Sequence, residues 1–223
     1  MKKFYDKYLH NGFVPCVVLA FLLDVIIESV GRGSLLECLS FMVTDPKVFF
    51  YNGFLIFTTL SISLLFKRRV FVYVIISALW LALGITNGVI LSFRMTPFTV
   101  SDLALLENGL SILPNYMSTL EIILAALGAV VIVALLVMTF LYAPKWKKKI
   151  SYKINLCFVV VFFIALAGLT GLGIENRWLS TYFSNLGYAY EDYGVPYCFL
   201  NTWLNRGIPQ PKNYSEDLIT GIF

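Results

Sequence analysis

The chain has 223 residues, of which 59% are hydrophobic and only 13% charged, with a formal net charge of +4. Soluble domains carry roughly 25% charged residues, so this composition excludes an ordinary soluble domain and indicates an integral membrane protein. Nucleic-acid binding needs a continuous basic face, which these scattered cations do not supply, so nucleic acid is not an expected partner.

A helix that crosses a bilayer needs about 20 mostly apolar residues. Five stretches approach or meet that length, at 13–30, 48–66, 70–93, 119–142 and 154–172. The expected fold class is therefore all-α, a polytopic membrane protein of five transmembrane helices plus short interfacial helices. No small-residue cleavage site follows the first stretch, which is expected to stay as a span. Eleven of the seventeen Lys and Arg residues fall before span one, between spans two and three, or between four and five. The other six lie on the alternate side, together with ten of the thirteen acids. The positive-inside rule then predicts an N-terminus in the cytoplasm and a C-terminus outside. The basic loops suit contact with anionic lipid heads.

Span one carries Asp24, Glu28 and Arg32 at four-residue steps, which places all three in one column along the helix. A charge near the bilayer centre costs at least about 2.5 to 3.5 kcal/mol, so Asp24 and Glu28 are expected to face protein or water. An internal Glu28 to Arg32 pair, with Asp24 satisfied by a neighbouring helix, accounts for the column structurally. The residues Ser34 to Met42 that follow predict a short helix at the outer surface. Span two begins with Val48-Phe49-Phe50-Tyr51, carries Asn52-Gly53 near its outer end and stops at Lys67-Arg68-Arg69, three cations expected to anchor it at the inner interface. In span three, Trp80, Gly84, Asn87, Leu91 and Arg94 recur on one face. That face is expected to pack on span one, with Gly84 allowing close approach, Asn87 bonding across, and Arg94 reaching the outer end of the acidic column.

The turn at 94–103 combines Arg94, Thr96-Pro97, and Thr99 with Asp102 three residues on. Pro97 biases Thr96 away from helical geometry, and Thr99 with Asp102 resembles a capping box that opens a new helix. Residues 100–113 are too short to span and predict an interfacial helix ended by Pro114. Gly128 in span four suits helix packing, and the glycines at 168, 171 and 173 of span five allow tight packing or a bend. Beyond it the chain turns aromatic, from Trp178 to Trp203, as at a membrane surface. Within that segment Pro196 can open a helix through Tyr197, Leu200, Trp203 and Leu204, with Gly207 as its stop. An extended, proline-spaced tether is expected from Ile208 onward. The domain division is thus a five-span membrane domain at 1–177 and an aromatic juxtamembrane segment and linker at 178–223. Cys38 and Cys198 share the outer side, where a disulfide between them is one alternative and, without paired spacing, free thiols are the other and the favoured one. Metal hydrolysis needs clustered ligands, yet the only histidine, His10, precedes span one. No P-loop, GxSxG or dinucleotide fingerprint occurs either.

Four stretches together carry a resemblance: Ile27-Glu28-Ser29 with Arg32, Phe66-Lys67-Arg68-Arg69, Arg94-Met95-Thr96-Pro97-Phe98 to Asp102-Leu103, and Tyr193-Gly194-Val195-Pro196-Tyr197 to Pro211-Lys212-Asn213-Tyr214-Ser215. They resemble the N-terminal membrane part of the lipoteichoic acid synthase family, over essentially all 223 residues. The resemblance implies a Gram-positive plasma-membrane protein with five spans. It also implies a following extracellular catalytic domain of the alkaline phosphatase and sulfatase type. In that family the domain transfers phosphoglycerol from phosphatidylglycerol, using a threonine nucleophile and a divalent metal, usually manganese. The catalytic domain is absent from this chain, which by itself should be inactive, with no catalytic residue and no cofactor of its own. What is left to it is anchoring, orientation of the catalytic domain, and binding of a membrane lipid, phosphatidylglycerol or a glycolipid anchor. Arg32, Arg94, Thr96 and Asp102 are the candidate lipid-head residues, because arginine grips phosphate bidentately. Asp24, Glu28 and Asn87 form the expected intramembrane polar network. The alternative is a stand-alone transporter or lipid-binding module using the Asp24, Glu28 and Arg32 column as a proton relay.

Overall fold

The structure is a computed structural model that describes residues 13–105, 118–143 and 152–204, all of whose regular elements are helical. Among the described residues the order is α1 (Phe13–Gly31), α2 (Leu35–Thr44), α3 (Pro46–Ser61, continued by a 3-10 turn at Ile62–Leu65) and α4 (Arg69–Phe93). Then come α5 (Val100–Ala104), α6 (Thr119–Tyr142), α7 (Tyr152–Glu175), α8 (Leu186–Tyr193) and α9 (Val195–Leu204). Four of these, α1, α3 with its 3-10 turn, α4 and α7, are long and apolar enough to cross a membrane. α6 is a helix of 24 residues.

Local chemistry sets the helix ends. Ser34 caps α2 by accepting from the Leu36 N–H, and Pro46 opens α3 at a position where the missing N–H costs nothing. α7 ends at Glu175, Arg177 takes a left-handed φ of 60°, and the chain folds back so that the Trp178 and Leu179 N–H groups both donate to the Gly173 carbonyl. Asn185 caps α8 by accepting from the N–H groups of Gly187 and Tyr188.

α1 packs between α3 and α4, and its seam with α4 is tight. A Cβ on Gly84 would sit 2.8 Å from Ile27, which is the close approach the sequence face predicts. The glycines at 128, 168 and 171 instead face open space, and only Gly173 is a packing position, against Leu179. Among these glycines the packing alternative is met only at Gly173, where the chain folds back and Leu179 packs on it.

The short helices collect at one end of the bundle. Tyr51 of α3 bonds Thr170 of α7 at 2.7 Å, and Asn87 of α4 accepts from the Phe98 N–H at 2.9 Å. The loops at the opposite end are joined by the Asn155 amide donating to the Leu64 carbonyl at 2.8 Å, and by Arg68, which lies over the Phe140 ring. Arg69 departs from the anchoring expected of it. It is buried and directed at the Leu64 carbonyl, leaving Lys67 exposed at that end.

The aromatic segment also differs from a surface belt. Tyr190 and Tyr197 are buried, and Trp178, Tyr51, Tyr197, Tyr193 and Phe183 form a continuous chain of ring contacts 5.7 to 6.2 Å apart. These rings are the core of a cap built on the bundle end, while Tyr182, Tyr188 and Trp203 remain exposed. The α9 helix runs through Tyr197, Leu200, Trp203 and Leu204 as expected, its Gly207 stop lying outside the described residues, whereas α8 is a second cap helix that the pattern did not announce. Of the interfacial helix at 100–113, the structure describes the start, and 106–117 lie outside the described residues, as does the tether from 208.

Candidate functional site

The cap is held to the bundle by polar side chains buried within apolar helices. Glu28, 0% exposed, uses one carboxylate oxygen to pair with Arg32 at 3.1 Å and the other to accept the Val195 N–H at 2.7 Å. Asn52 brackets the same turn, donating to the Tyr193 carbonyl and accepting from the Tyr197 N–H, both at 2.9 Å. Two side chains thus satisfy the open N–H groups at the start of α9, where a negative charge is also favoured by the helix dipole. Arg32 extends the latch by donating to the Glu191 carbonyl at 2.6 Å, and its guanidinium lies 3.7 Å over the Phe41 ring. Gly194, with φ 78° and ψ 160°, is the hinge pressed onto both latch residues. A Cβ there would lie 2.3 Å from Asn52 Nδ2 and 2.7 Å from Glu28 Oε1.

The turn after α4 is a second built feature. Arg94 folds back on it, its Nε donating to the Thr96 carbonyl and its Nη2 reaching the Pro97 carbonyl and both Asp102 oxygens at 2.8 Å. Asp102 also accepts from the Thr99 N–H at 2.8 Å, the acidic half of the expected capping box. The Phe98 backbone is gripped from both sides, its N–H by Asn87 and its carbonyl by the Tyr190 hydroxyl at 2.7 Å. Arg94 therefore braces its own turn and does not join the α1 column as the helical face suggested. Asn87 likewise bonds this turn and not α1.

Burial pushes the Asp102 carboxyl up, but the Arg94 hydrogen bond and the Thr99 N–H outweigh it and hold the group below the usual carboxylate range. A depressed folded value contributes stability that is present above the unfolded pKa of about 3.9 and is lost as pH falls through the folded value. Protection of the Thr99 amide against hydrogen exchange should accordingly persist below about pH 4, where an ordinary carboxylate is already protonated, and fail only as pH falls through the lower folded value. In Asp102→Asn it should already be weak at neutral pH.

Between latch and turn lies a cleft of about 860 Å3, within the size range of small-ligand sites. Arg32, Arg94 and Asn87 line it, as do the acids Glu28, Glu37 and Glu191. Arg32 and Arg94 each keep Nη1 uncommitted among the described residues. Of the four candidate lipid-head residues, the structure thus brings Arg32 and Arg94 to one cleft. Thr96 contributes a carbonyl to Arg94 and Asp102 its counter-ion, and neither lines the cleft. Asp24 lies one turn further into the bundle, 0% exposed, and among the described residues neither of its oxygens has a hydrogen-bond partner, so the described neighbouring helices do not satisfy it as expected. Asn52 is the latch residue that the sequence does not single out, although an Asn-Gly pair inside an apolar helix is a visible signal. Asn185 and Tyr190 gave no such sign. Cys38 and Cys198 are free and buried, bonded to the carbonyls of Val25 and Ala189.

No family model matches the chain, and no curated protein or solved structure matches it either.

Proposed function

We propose that the chain is the membrane-embedded part of a lipoteichoic acid synthase-like phosphoglycerol transferase of the Gram-positive plasma membrane. In this reading it anchors and orients an extracellular sulfatase-like catalytic domain and receives the head of the lipid substrate. α6, at about 1.5 Å per residue, has the length to be the fifth span, with the N-terminus inside and the cap outside.

The observation that carries the reading is the mixed lining of the cap cleft, where two arginines whose Nη1 groups have no partner among the described residues stand among three glutamates. A phosphoglycerol head has an anionic phosphate and neutral hydroxyl donors, and arginine takes the first while carboxylates accept from the second. A simple anion would be repelled by the acids, and a sugar alone would leave the arginines idle. The cleft borders the latch that fixes α9, so a domain following α9 would be oriented relative to the bound head. In this reading manganese belongs to that following domain. Among the described residues no three His, Cys, Asp or Glu side chains converge, and no step in this chain runs through the metal.

The test is Arg94→Ala and Arg94→Lys in an enzyme that joins this chain to such a catalytic domain. A charged hydrogen bond is worth about 1.5–3 kcal/mol. Polymer synthesis should therefore need about tenfold more phosphatidylglycerol in Arg94→Ala, with Arg94→Lys recovering part of the loss. Unchanged lipid dependence in both would leave Arg94 a brace for its turn and remove it from the site.

A further inference from the structure

The cleft at the cap end has walls from two parts of the fold. Arg32 and Arg94 stand on the bundle side, whereas Tyr188 and Glu191 belong to α8 of the cap. The cap touches the bundle at either end of α8. At its start a Cβ on Gly187 would lie 3.4 Å from the Met95 carbonyl oxygen, and just past its end Val195 lies 2.9 Å from where a Cβ on Gly31 would sit. The polar groups between these edges are within reach of a ligand. The Arg94 side chain is 43% exposed, Tyr188 is 66% exposed, and Glu191 is exposed as well. Glu191 gives Arg32 only its carbonyl, so its carboxylate has no partner among the described residues.

We infer that a head bound in this cleft ties the cap to the bundle, so that lipid occupancy holds the cap closed. The inference rests on the reading that the cleft takes a phosphoglycerol head. A phosphate between Arg32 and Arg94 would use Nη1 groups that no described residue occupies, so it adds to the latch and breaks none of its bonds. Glycerol hydroxyls would then donate to Glu191 across the gap. The closed cap offers the head both walls, and the open cap offers one. A ligand shifts an equilibrium only by its differential affinity for the two states, and that difference is here the contact with the cap wall. Few connections set the balance it acts on. Glu28 and Asn52 hold the start of α9 beside the Gly194 hinge, and Tyr190 holds α8 to the Phe98 carbonyl. The lipid is one more tie, made only when the site is loaded, and a domain carried by α9 is then set in place by its own substrate.

The experiment uses the full chain with Cys157→Ser in nanodiscs of phosphatidylcholine alone and of phosphatidylcholine with saturating phosphatidylglycerol. Maleimide labelling of Cys198, followed by peptide mass mapping, counts cap openings because that thiol is 0% exposed in the closed cap. Phosphatidylglycerol should slow the labelling by about tenfold, the worth of one charged hydrogen bond across the gap. Glu191→Ala keeps both arginines and the backbone carbonyl that Arg32 uses, and it should label at one rate in the two membranes. Asn52→Ala loosens the latch and lines no part of the cleft. It should label faster overall and show the same slowing, so the effect is measured even where the parent cap opens rarely. Lipid retained on the same samples is counted by native mass spectrometry. Preferential retention of phosphatidylglycerol with unchanged labelling would overturn the inference and leave the lipid site standing, whereas no preference would remove both. Faster labelling with phosphatidylglycerol would mean that the head draws Arg32 away from Glu191 and opens the cap. Slowing that survives in Glu191→Ala would mean that it does not act across the cleft, and either result overturns the inference.

Discussion

Replacing Gly194 with Ala should release α9 from the bundle and turn Cys198 from a protected thiol into a reactive one. With φ 78° and ψ 160°, the residue occupies a backbone region that is essentially glycine-only, and strain of this kind costs on the order of 1–3 kcal/mol. The steric effect adds to it. A methyl group 2.3 Å from Asn52 Nδ2 and 2.7 Å from Glu28 Oε1 cannot be accommodated while both side chains keep their bonds to the α9 backbone. Cys198 reports the outcome because it is 0% exposed, and burial, followed by the neighbouring Glu28, pushes its thiol well above the usual range. In a Cys157→Ser background, which removes the exposed thiol, maleimide labelling should rise by at least about tenfold, as expected if about 1.4 kcal/mol or more of closing free energy is lost. Labelling that stays at the parent level would show that the cap does not depend on the hinge.

The second large effect is expected at Glu28. Removing one partner of a buried ion pair costs about 3–5 kcal/mol because the other charge is left uncompensated. Glu28→Leu should cost toward the lower end of that range, since it strands the Val195 N–H and removes the carboxylate from Arg32, which keeps the Glu191 carbonyl at the cleft. Glu28→Gln keeps an acceptor for the Val195 N–H and should cost less. Asn52→Ala strands the Tyr197 N–H of the same turn, so the two sites share one element. Their effects should be non-additive, the double variant losing less stability than the sum of the singles, because the second change acts on a helix already released. Thermal unfolding in detergent of the four members of the cycle measures this. Strict additivity would mean that Glu28 and Asn52 hold the cap independently.

Much of the bundle is legible in the sequence because hydropathy and helical spacing are local properties. The four-residue steps of Asp24, Glu28 and Arg32 correctly place Glu28 and Arg32 as a pair, and the Gly84 face correctly finds α1. The same face fails at Arg94 because the helix ends at Phe93, and Pro97 turns the chain so that Arg94 meets Asp102. The second bond of Glu28, to a residue 167 positions away, is set by tertiary folding alone and leaves no periodic trace. α8 escapes notice for a related reason. Its Leu186–Tyr193 sequence mixes Gly, Tyr and acids without an apolar period, and only the capping Asn185 marks its start. The aromatic run was read as a belt from composition, but composition does not reveal that Tyr190 and Tyr197 have backbone carbonyls to bond in a buried cap.

The claim that this chain receives a phosphoglycerol head is tested most directly by lipid retention. The purified chain, in nanodiscs containing equal amounts of phosphatidylglycerol and phosphatidylcholine, is transferred to detergent and its bound lipid counted by native mass spectrometry. Phosphatidylglycerol should be retained in preference, and the combined Arg32→Gln and Arg94→Gln variant should lose that preference by about tenfold, the loss of one charged hydrogen bond or more. Equal retention of the two lipids, or an undiminished preference in the double variant while Cys198 stays protected, would contradict the account.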